Sequence, residues 1–399
     1  MEWLGLRCIR EYRLRGRVFV MLLSVLLASV LVLATATCRS LKQIDVRHLP
    51  GRIFLIEEAR AGSGGASKRI PERLEVMDAT GTGRRVLTDA VEPFSAVWYP
   101  KLGVLGIVNS PLASGPTGKG FFTLHITGGR ARDVSVESIE PSLPNDFRTH
   151  FYEPTVRCGG PRGDDCQSFP EPRNYSTRVT FSPDGKQVAG IAFFMNPTMK
   201  GGRGPMCVVA ADGSAHEQCE TSVEPCETQS PVWSPDGAHV VFQGSLPDNS
   251  YRCNLSELYI ADSAMRNVSQ LTNVEGPHFK KPDWILVKPG ARTDHMHRST
   301  EPQFSSDGQW IAFVAYGGIY RVHPDGSGLQ LVIPDGDWPA WSPDSKMLMY
   351  VMHPNGLMSI LSPEERFFVA YADGSSPTEV PVHPRTSPGQ RFRDLNWAE

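Results

Sequence analysis

A short motif recurs four times from residue 179 onward: an aromatic residue, a polar turn and then an apolar strand. The turn carries Asp, usually followed by Gly, which supplies the positive φ that a tight hairpin needs. The aromatic residue is suited to filling the space between neighbouring sheets. The four copies read VTFSPDGKQVAGIAF, PVWSPDGAHVVFQGS, PQFSSDGQWIAFVAY and PAWSPDSKMLMYVMH. Their turn residues are Asp184, Gly185, Asp236, Gly237, Asp307, Gly308 and Asp344. Repetition of this kind predicts an array of similar structural units.

A second hairpin follows each copy of the motif. These hairpins read CVVAADGSAHEQC, ELYIADSAMRNVSQLT, IYRVHPDGSGLQLV and FFVAYADGSSPTEV. Two hairpins per unit make four antiparallel strands, which is the composition of one propeller blade. The 37 glycines and 33 prolines of the chain also favour many short strands over long helices.

Weaker copies upstream and a strand at the C-terminus complete the ring. SAVWYPKLGVLGIVNS with FFTLHITGGRARDVSV predicts one more blade, and RIFLIEEAR with RLEVMDATGTGRRVLT supplies three strands of another. The C-terminal FRDLNWAE supplies its missing strand and puts Trp397 where the other blades have their aromatic residue. We therefore predict an all-β, six-bladed propeller of four-stranded antiparallel blades, closed by the C-terminal strand. The longest insertions are expected at residues 137–174 and 273–298.

The Trp-Ser-Pro-Asp-Gly motif and the strands after it resemble the WD-like repeats of TolB-type propellers. The resemblance covers about 350 residues. It implies a six-bladed fold and a place outside the cytoplasm, because TolB works in the periplasm and binds envelope partners there. In TolB a small α/β domain precedes the propeller, and the span from Thr37 to Gly51 is too short for one. We therefore expect a relative of the propeller part alone, and the resemblance does not identify its partners.

The first fifty residues predict export from the cytoplasm. Five arginines precede an uncharged run at residues 18–37, which is long enough to form a hydrophobic helix across a bilayer. The run can be a cleaved signal peptide, a retained anchor or, through Cys38, a lipoprotein signal. In each alternative the body of the chain is exported, because the arginines keep the N-terminus on the cytoplasmic side of the membrane. The predicted organisation is a signal or anchor segment at 1–38, a linker at 39–50 and the propeller at 51–399.

Six cysteines lie in the exported body, an even number that predicts structural disulfides in an oxidising compartment. The candidates are Cys158, Cys166, Cys207, Cys219, Cys226 and Cys253. The first two bracket a loop and the next two flank a predicted hairpin turn, which leaves the last two as a pair. The alternatives are unpaired core thiols and a metal site, although the closely paired spacing of zinc sites does not occur.

Few residues in the sequence suggest chemistry. The turn aspartates could be calcium ligands, but turn geometry explains them better. The segment DHMHRSTE places His295 and His297 on one face if it is extended, a candidate metal site that lacks defined further ligands. A solvated loop is the alternative interpretation. The segment ASGPTGKGF departs from a phosphate-binding loop at both ends, and no G-x-S-x-G nucleophile motif occurs. We predict no catalytic residues and no cofactor.

Two functions remain open at this point. The first is a non-catalytic binding or scaffold protein outside the cytoplasm. Its loops would bind an envelope or membrane-associated protein, and residues 18–37 would tether it to the membrane. The second is a metal-dependent lyase or hydrolase that acts on a carbohydrate or peptide in the propeller channel through His295 and His297. A nucleic-acid partner is not expected, because the formal net charge is −3 and a basic face would be the footprint of such a partner.

Overall fold

In the computed structural model of the protein, the residues from Ile44 onward form one compact unit. The structure describes residues 43–59, 72–109, 121–141, 156–159, 165–168, 179–191, 206–212, 214, 218–220, 223–225, 231–245, 257–273, 300–352, 365–386 and 390–399. The predicted N-terminal hydrophobic helix lies outside these residues. Within them, no helix is both long and apolar enough to cross a membrane.

The described residues form strands almost throughout, with one 3-10 turn, η1 (Val46–His48). In the first half of the chain the strands are β1 (Arg52–Ala59), β2 (Arg73–Asp78), β3 (Arg85–Thr88), β4 (Pro93–Tyr99), β5 (Val104–Asn109), β6 (Phe121–Thr127), β7 (Ser135–Pro141), β8 (Val156–Gly159), β9 (Asp165–Ser168), β10 (Val179–Phe181) and β11 (Gln187–Ile191). In the second half they are β12 (Met206–Ala210), β13 (Gln218–Glu220), β14 (Glu224–Pro225), β15 (Val232–Trp233), β16 (His239–Ser245), β17 (Glu257–Asp262), β18 (Ser269–Gln270), β19 (Thr300–Phe304), β20 (Ile311–Ala315), β21 (Gly318–Val322), β22 (Gln330–Ile333), β23 (Asp337–Trp341), β24 (Met347–Met352), β25 (Arg366–Tyr371), β26 (Thr378–Val380) and β27 (Gln390–Ala398).

All of these strands except β8 and β9 form six antiparallel sheets, each one blade of a propeller. From the channel outwards, blade 1 is β27-β1-β2-β3, blade 2 is β4-β5-β6-β7 and blade 3 is β10-β11-β12-β13. Blade 4 contains β16-β17-β18, and both β14 and β15 pair with β16. Blade 5 is β19-β20-β21-β22 and blade 6 is β23-β24-β25-β26. The predicted six-bladed all-β fold is confirmed.

The C-terminal strand closes the ring, as predicted. Strand β27 pairs antiparallel with β1, which places Trp397 opposite Ile53. The Trp397 indole is buried and its Nε1 donates to the carbonyl oxygen of Pro50 at 2.8 Å. The first blade therefore takes its inner strand from the end of the chain, which leaves β1 with partners on both sides.

The repeated turn is held by one set of hydrogen bonds. In the copy at Ser234 the hydroxyl donates to Asp236 Oδ1 at 2.5 Å, and the same oxygen accepts from the amide of Ala238 at 2.9 Å. The Ser and Asp residues of the other three copies make equivalent contacts. The turn glycines have φ between 72° and 77°, and in blade 6 Ser345 adopts φ 61° in the place of glycine. The turn thus has a structural explanation for both its Asp and its Gly.

Aromatic pairs fill the blades between their two middle strands. Phe313 lies opposite Tyr320 with ring centroids 5.7 Å apart, and blades 4 and 6 repeat this arrangement with Phe242–Tyr259 and Tyr350–Phe368. Cross-strand aromatic pairs of this kind add to the stabilisation from burial alone. The aromatic residues of the repeat pack between the blades, as predicted: Trp233 and Trp341 are buried.

The boundaries of the first insertion differ from the prediction. Residues 137–141 are not inserted, because they form most of β7, the outer strand of blade 2. Strand β7 has the polar sequence SVESIEP, which is also typical of a loop. Its polarity is explained by its place at the outer edge of the blade, where it faces solvent. Residues 156–159 and 165–168 pair as a separate hairpin, β8-β9. The second insertion, residues 273–298, lies outside the described residues apart from Asn273.

Candidate functional site: the central channel

A cavity of about 300 Å³ lies where the inner strands of the six blades meet. Each blade contributes to its wall through the strand nearest the axis, namely β27, β4, β10, β15, β19 and β23. The walls include half-buried aromatic rings and several prolines. Its aromatic and proline lining consists of Trp98, Tyr99, Phe181, Trp233, Phe304, Trp338, Trp341, Trp397, Pro100, Pro183, Pro231, Pro235, Pro302 and Pro339. A concave, mainly apolar surface with a few polar groups is the usual form of a ligand or partner site.

The aromatic lining is fixed by hydrogen bonds between neighbouring blades. Trp233 Nε1 donates to the carbonyl oxygen of Thr180 at 3.1 Å. Trp341 Nε1 of blade 6 makes the equivalent contact with the carbonyl oxygen of Gln303 in blade 5, at 3.1 Å. Each of these rings belongs to one blade and binds the inner strand of the blade before it. The wall of the cavity is therefore preorganised, which lowers the entropic cost of binding.

Three consecutive blades carry, in the inner strand, a β-bulge whose residue adopts a positive φ. The residues at the bulges are Glu301 in blade 5, Trp338 in blade 6 and Asp394 in blade 1, with φ of 55°, 54° and 51°. The strand register shifts at each of them, and all three line the cavity. A positive φ in a residue other than glycine costs roughly 1–3 kcal/mol. Glu301 and Trp338 also precede prolines, which restrict them further to extended conformations.

The bulge carboxylates are held by backbone amides of the next blade. Glu301 Oε2 accepts from the amide of Trp338 at 2.7 Å, and Asp394 Oδ2 accepts from the amide of Ala96 at 3.1 Å. Asn396 bridges the same blade pair, because its Oδ1 accepts from the amide of Trp98 at 2.9 Å. These contacts orient the acidic groups at the channel wall and join the blades at the same time.

The opposite end of the inner strands has different chemistry. Lys101 follows β4, and its Nζ donates to the carbonyl oxygen of Pro235 at 2.7 Å. Tyr99 lies beside it, and its hydroxyl accepts from the amide of Phe181 at 2.8 Å. Burial raises the pKa of Tyr99 well above its usual range, so the phenol stays neutral. The channel wall thus has a carboxylate near the start of β19, at Glu301, another in the middle of β27, at Asp394, and a lysine just beyond the end of β4.

The predicted disulfides fall into three groups. Cys207 and Cys219 are opposite each other on β12 and β13 and form a disulfide. Cys158 pairs in register with Cys166 in the β8-β9 hairpin. Cys226 and Cys253 lie outside the described residues.

The candidate metal site also lies outside the described residues, since His295 and His297 fall between residues 273 and 300. Among the residues that the structure describes, no group of three or more His, Cys, Asp or Glu residues is arranged to hold a metal ion. The turn aspartates do not line the cavity, because they are hydrogen-bonded inside their own turns.

The bulge residues are functional candidates that the sequence interpretation missed. Each lies three residues before the aromatic residue of its repeat, so the position can be read from the motif. Because the residues at that position are Glu, Trp and Asp, no common residue type marks the position in the sequence.

Comparisons with known proteins agree on the fold. No protein family matches the sequence, and no curated protein matches it. The structure is similar to TolB from Acinetobacter baumannii, with 16% identity, a TM-score of 0.50 and coverage of 87% of this chain and 66% of that chain. It is also similar to a putative TolB from Agrobacterium tumefaciens, with 14% identity, a TM-score of 0.46 and coverage of 88% and 99%. An oligogalacturonate lyase in complex with manganese has 11% identity, a TM-score of 0.37 and coverage of 83% and 73%. The described part of the chain is a TolB-like six-bladed β-propeller.

Proposed function

We propose that this chain is a non-catalytic binding protein that works outside the cytoplasm and takes part of a protein partner into its central channel. The observation that carries the proposal is the cavity, which all six inner strands line with aromatic rings and prolines. Buried aromatic surfaces in a rigid concave site are typical of the strongest contacts in protein recognition. The hydrogen bonds between blades hold this surface in place before a partner arrives.

Two observations support a place outside the cytoplasm. The arginine-rich N-terminus with its apolar run at residues 18–37 is typical of an export signal. The disulfide between Cys207 and Cys219 is of a kind that persists in oxidising compartments. We propose further that the run at 18–37 contacts the membrane, either as a retained anchor or ahead of a lipid on Cys38. An envelope or membrane-associated protein is then the expected partner.

The insertions at residues 142–174 and 273–298 are proposed as secondary contacts. They connect strands of a rigid scaffold, and loops on such scaffolds often carry recognition. Deleting residues 142–174 should weaken partner binding, and unchanged binding would exclude this segment as a contact.

The main proposal is tested by obstructing the channel. Val232 lies on β15 and lines the cavity, so Val232→Arg places a charged side chain in the channel. The matched control is Leu102→Arg, since Leu102 is 42% exposed and does not line the cavity. Both variants should be purified, checked for wild-type thermal unfolding and used to capture partners from detergent-solubilised membranes. We expect the control to retain the partner of the wild type and Val232→Arg to lose it. Retention by both would contradict binding in the channel.

The metal-dependent enzyme remains a separate prediction, which rests on His295 and His297. Metal analysis of the purified protein tests it independently. A stoichiometric divalent ion that is lost in the double substitution of these histidines by alanine would favour the enzyme.

A further inference from the structure

We propose that the channel binds an extended, proline-rich segment of the partner, and that the indole N–H groups of Trp98 and Trp338 donate hydrogen bonds to backbone carbonyl oxygens of that segment. The inference rests on the proposed function and names the kind of segment that the channel admits. Its basis is the distinction between the polar groups of the channel wall that are already bonded within the protein and those that are not.

The unpaired edges of the inner strands are the first part of the argument. Side chains of other blades already accept from amides and donate to carbonyl oxygens in or next to these strands. The bonded groups are the amides of Ala96, Trp98, Phe181 and Trp338 and the carbonyl oxygens of Ala96, Thr180, Pro231, Gln303 and Leu395. A partner that added a strand to these edges would break the bonds that join the blades. The partner must therefore bind through the side chains of the wall, and not by strand addition.

Two of the bonds connect blades that are not neighbours and so limit the width of the channel. Gln303 of blade 5 donates from Nε2 to the carbonyl oxygen of Leu395 in blade 1 at 3.1 Å. Lys101, just after β4 of blade 2, donates to the carbonyl oxygen of Pro235, just after β15 of blade 4, at 2.7 Å. A helix with its side chains is about 10–12 Å across. A single extended chain is the shape that suits a channel crossed in this way.

The indoles of Trp98 and Trp338 hold the donors that remain. Both rings are half-buried and line the cavity, and neither indole N–H has a hydrogen-bond partner within the part of the chain that the structure describes. By contrast, Trp233, Trp341 and Trp397 donate to carbonyl oxygens of the protein. The other polar side chains of the lining, all of which have partners, are Ser95, Tyr99, Lys101, Thr180, Glu301, Gln303, Ser306, Asp394 and Asn396.

The chemistry of the occupant follows from these two donors. An indole N–H donates and does not accept, so its match is an acceptor such as a backbone carbonyl oxygen. A polyproline II segment forms no internal hydrogen bonds and leaves its carbonyl groups available. Its prolines also have no N–H, so they bring no donor that would be buried without a partner. The aromatic rings of the wall suit the pyrrolidine rings, as in other aromatic-lined grooves that bind proline-rich segments.

A chain of other residues fits the channel less well. It brings one N–H per residue, and each buried N–H needs an acceptor. The carbonyl oxygens along the channel that could supply a row of acceptors are bonded to side chains of other blades. Gln303 Oε1 and the second carboxylate oxygen of Asp394 are single acceptors at separate places. Charge and hydrogen bonding thus favour a segment with carbonyl oxygens and without N–H groups.

Binding of short peptides to the full-length protein in detergent tests the proposal without a known partner. The probes are hexaproline, a hexamer of N-methylglycine and a hexamer of alternating glycine and alanine, all with blocked ends, and glucose as a ring that stacks on indoles. Isothermal titration calorimetry measures their affinities. We expect hexaproline to bind most tightly. The N-methylglycine peptide, which lacks N–H groups but is not preorganised, should follow, and the glycine-alanine peptide should bind most weakly. Equal binding of the three peptides, or preferred binding of glucose, would overturn the proposal.

The indole N–H resonances report the contact directly. In the 15N-labelled protein, hexaproline should shift the resonances of Trp98 and Trp338 and slow the exchange of these two protons with water. The resonances of Trp233 and Trp341 should shift less, because their N–H groups are already bonded. Hexaproline that leaves the Trp98 and Trp338 resonances unchanged would contradict the assigned donors.

Substitution by phenylalanine assigns the resonances and measures the contribution of each N–H. Trp98→Phe and Trp338→Phe keep an aromatic ring, and we expect each to weaken hexaproline by about two- to tenfold, as the loss of one net hydrogen bond implies. The matched control is Trp310→Phe, since Trp310 is half-buried and does not line the cavity, and its affinity should equal that of the wild type. Thermal unfolding checks that each variant is folded. Wild-type affinity in folded Trp98→Phe and Trp338→Phe variants would contradict the proposal, and the glycine-alanine comparison in the wild type tests it if a variant does not fold.

The outcomes separate this inference from the proposed function. If Val232→Arg abolishes partner capture and hexaproline binds no better than the glycine-alanine peptide, the channel binds a partner of other chemistry and this inference is wrong. If hexaproline binds as expected and Val232→Arg still captures the partner, the proline site exists and the partner binds elsewhere.

Discussion

Arg84 is expected to be a main support of the closed ring. Its side chain is 4% exposed, and Nε donates to Glu75 Oε2 at 2.7 Å. Its Nη2 lies 3.8 Å from Glu57 Oε1, and the guanidinium also donates to Gln390 and to the carbonyl oxygen of Pro384. One residue of blade 1 thus binds two buried carboxylates, the closing strand β27 and the segment that leads into it.

The predicted perturbation is Arg84→Met, which keeps much of the volume and removes the charge. It leaves two buried carboxylates without their cation, a change that costs about 3–5 kcal/mol when a buried pair is broken. With the usual unfolding entropy per residue, a loss of 4 kcal/mol lowers the Tm of a domain this large by about 5 °C. The measurement is thermal unfolding followed by circular dichroism at pH 7.

The pH dependence distinguishes this cause from a simple packing defect. Burial raises the pKa of Glu75 above its ordinary value, and Arg84 opposes that shift. A raised folded-state pKa contributes stability below the unfolded value of 4.5 and loses it as the pH rises through the folded-state pKa. Without Arg84 the pKa of Glu75 should rise further, so the penalty of Arg84→Met should shrink as the pH falls from 7 toward 4.5.

A second substitution provides the control. Adding Glu75→Gln to Arg84→Met removes one of the stranded charges, and we expect it to recover part of the lost stability at pH 7. A penalty below 1 kcal/mol, or one that is the same at pH 7 and pH 5 and is not reduced by Glu75→Gln, would refute this reasoning.

Three further predictions concern the fold. A chain lacking residues 392–399 should lose cooperative unfolding, because β1 becomes an exposed edge; hydrogen exchange that leaves β1 as protected as in the full chain would contradict this. Asp236→Ala should cost about 1–2 kcal/mol at pH 7 through its lost turn hydrogen bonds, and Asp236→Asn less. The Ser hydroxyl lowers the pKa of Asp236, so its ionised form adds stability above pH 3.8 that is lost at lower pH, and urea unfolding at pH 7 and pH 3 should show this. Cys207→Ser should lower the free energy of unfolding by about 3 kcal/mol for a loop of this length, and reductant should destabilise the wild type by more than it destabilises the variant.

The fold could be predicted from the sequence because its signals are local and repeated. In each copy the Ser and Asp of the turn specify a hairpin, and the aromatic residue before them packs between two blades. Four copies of this motif do not arise by chance. The closing strand is predictable because the first blade lacks one strand and Trp397 occupies the aromatic position of the repeat. The outer strand β7 was partly missed because its polar sequence is compatible with a loop as well as with a solvated edge.

The site could not be predicted because it depends on backbone conformation. Glu301, Trp338 and Asp394 reach the channel through positive φ angles, which ordinary residues rarely adopt and which no residue pattern here announces. Nor does the sequence bring Asp394, near the C-terminus, next to Ala96 in the second blade; closure of the ring does so. Sequence reasoning instead selected His295 and His297, whose chemistry is conspicuous by type alone.

The most direct test of binding in the channel is site-specific photocrosslinking in the intact protein. A benzoylphenylalanine crosslinker is introduced in place of Val232, which lines the cavity, and in a second sample in place of Leu102, which does not. After irradiation of cells, we expect one defined envelope protein to be crosslinked from position 232 and not from position 102. Crosslinking of that partner from position 102 alone would contradict the account.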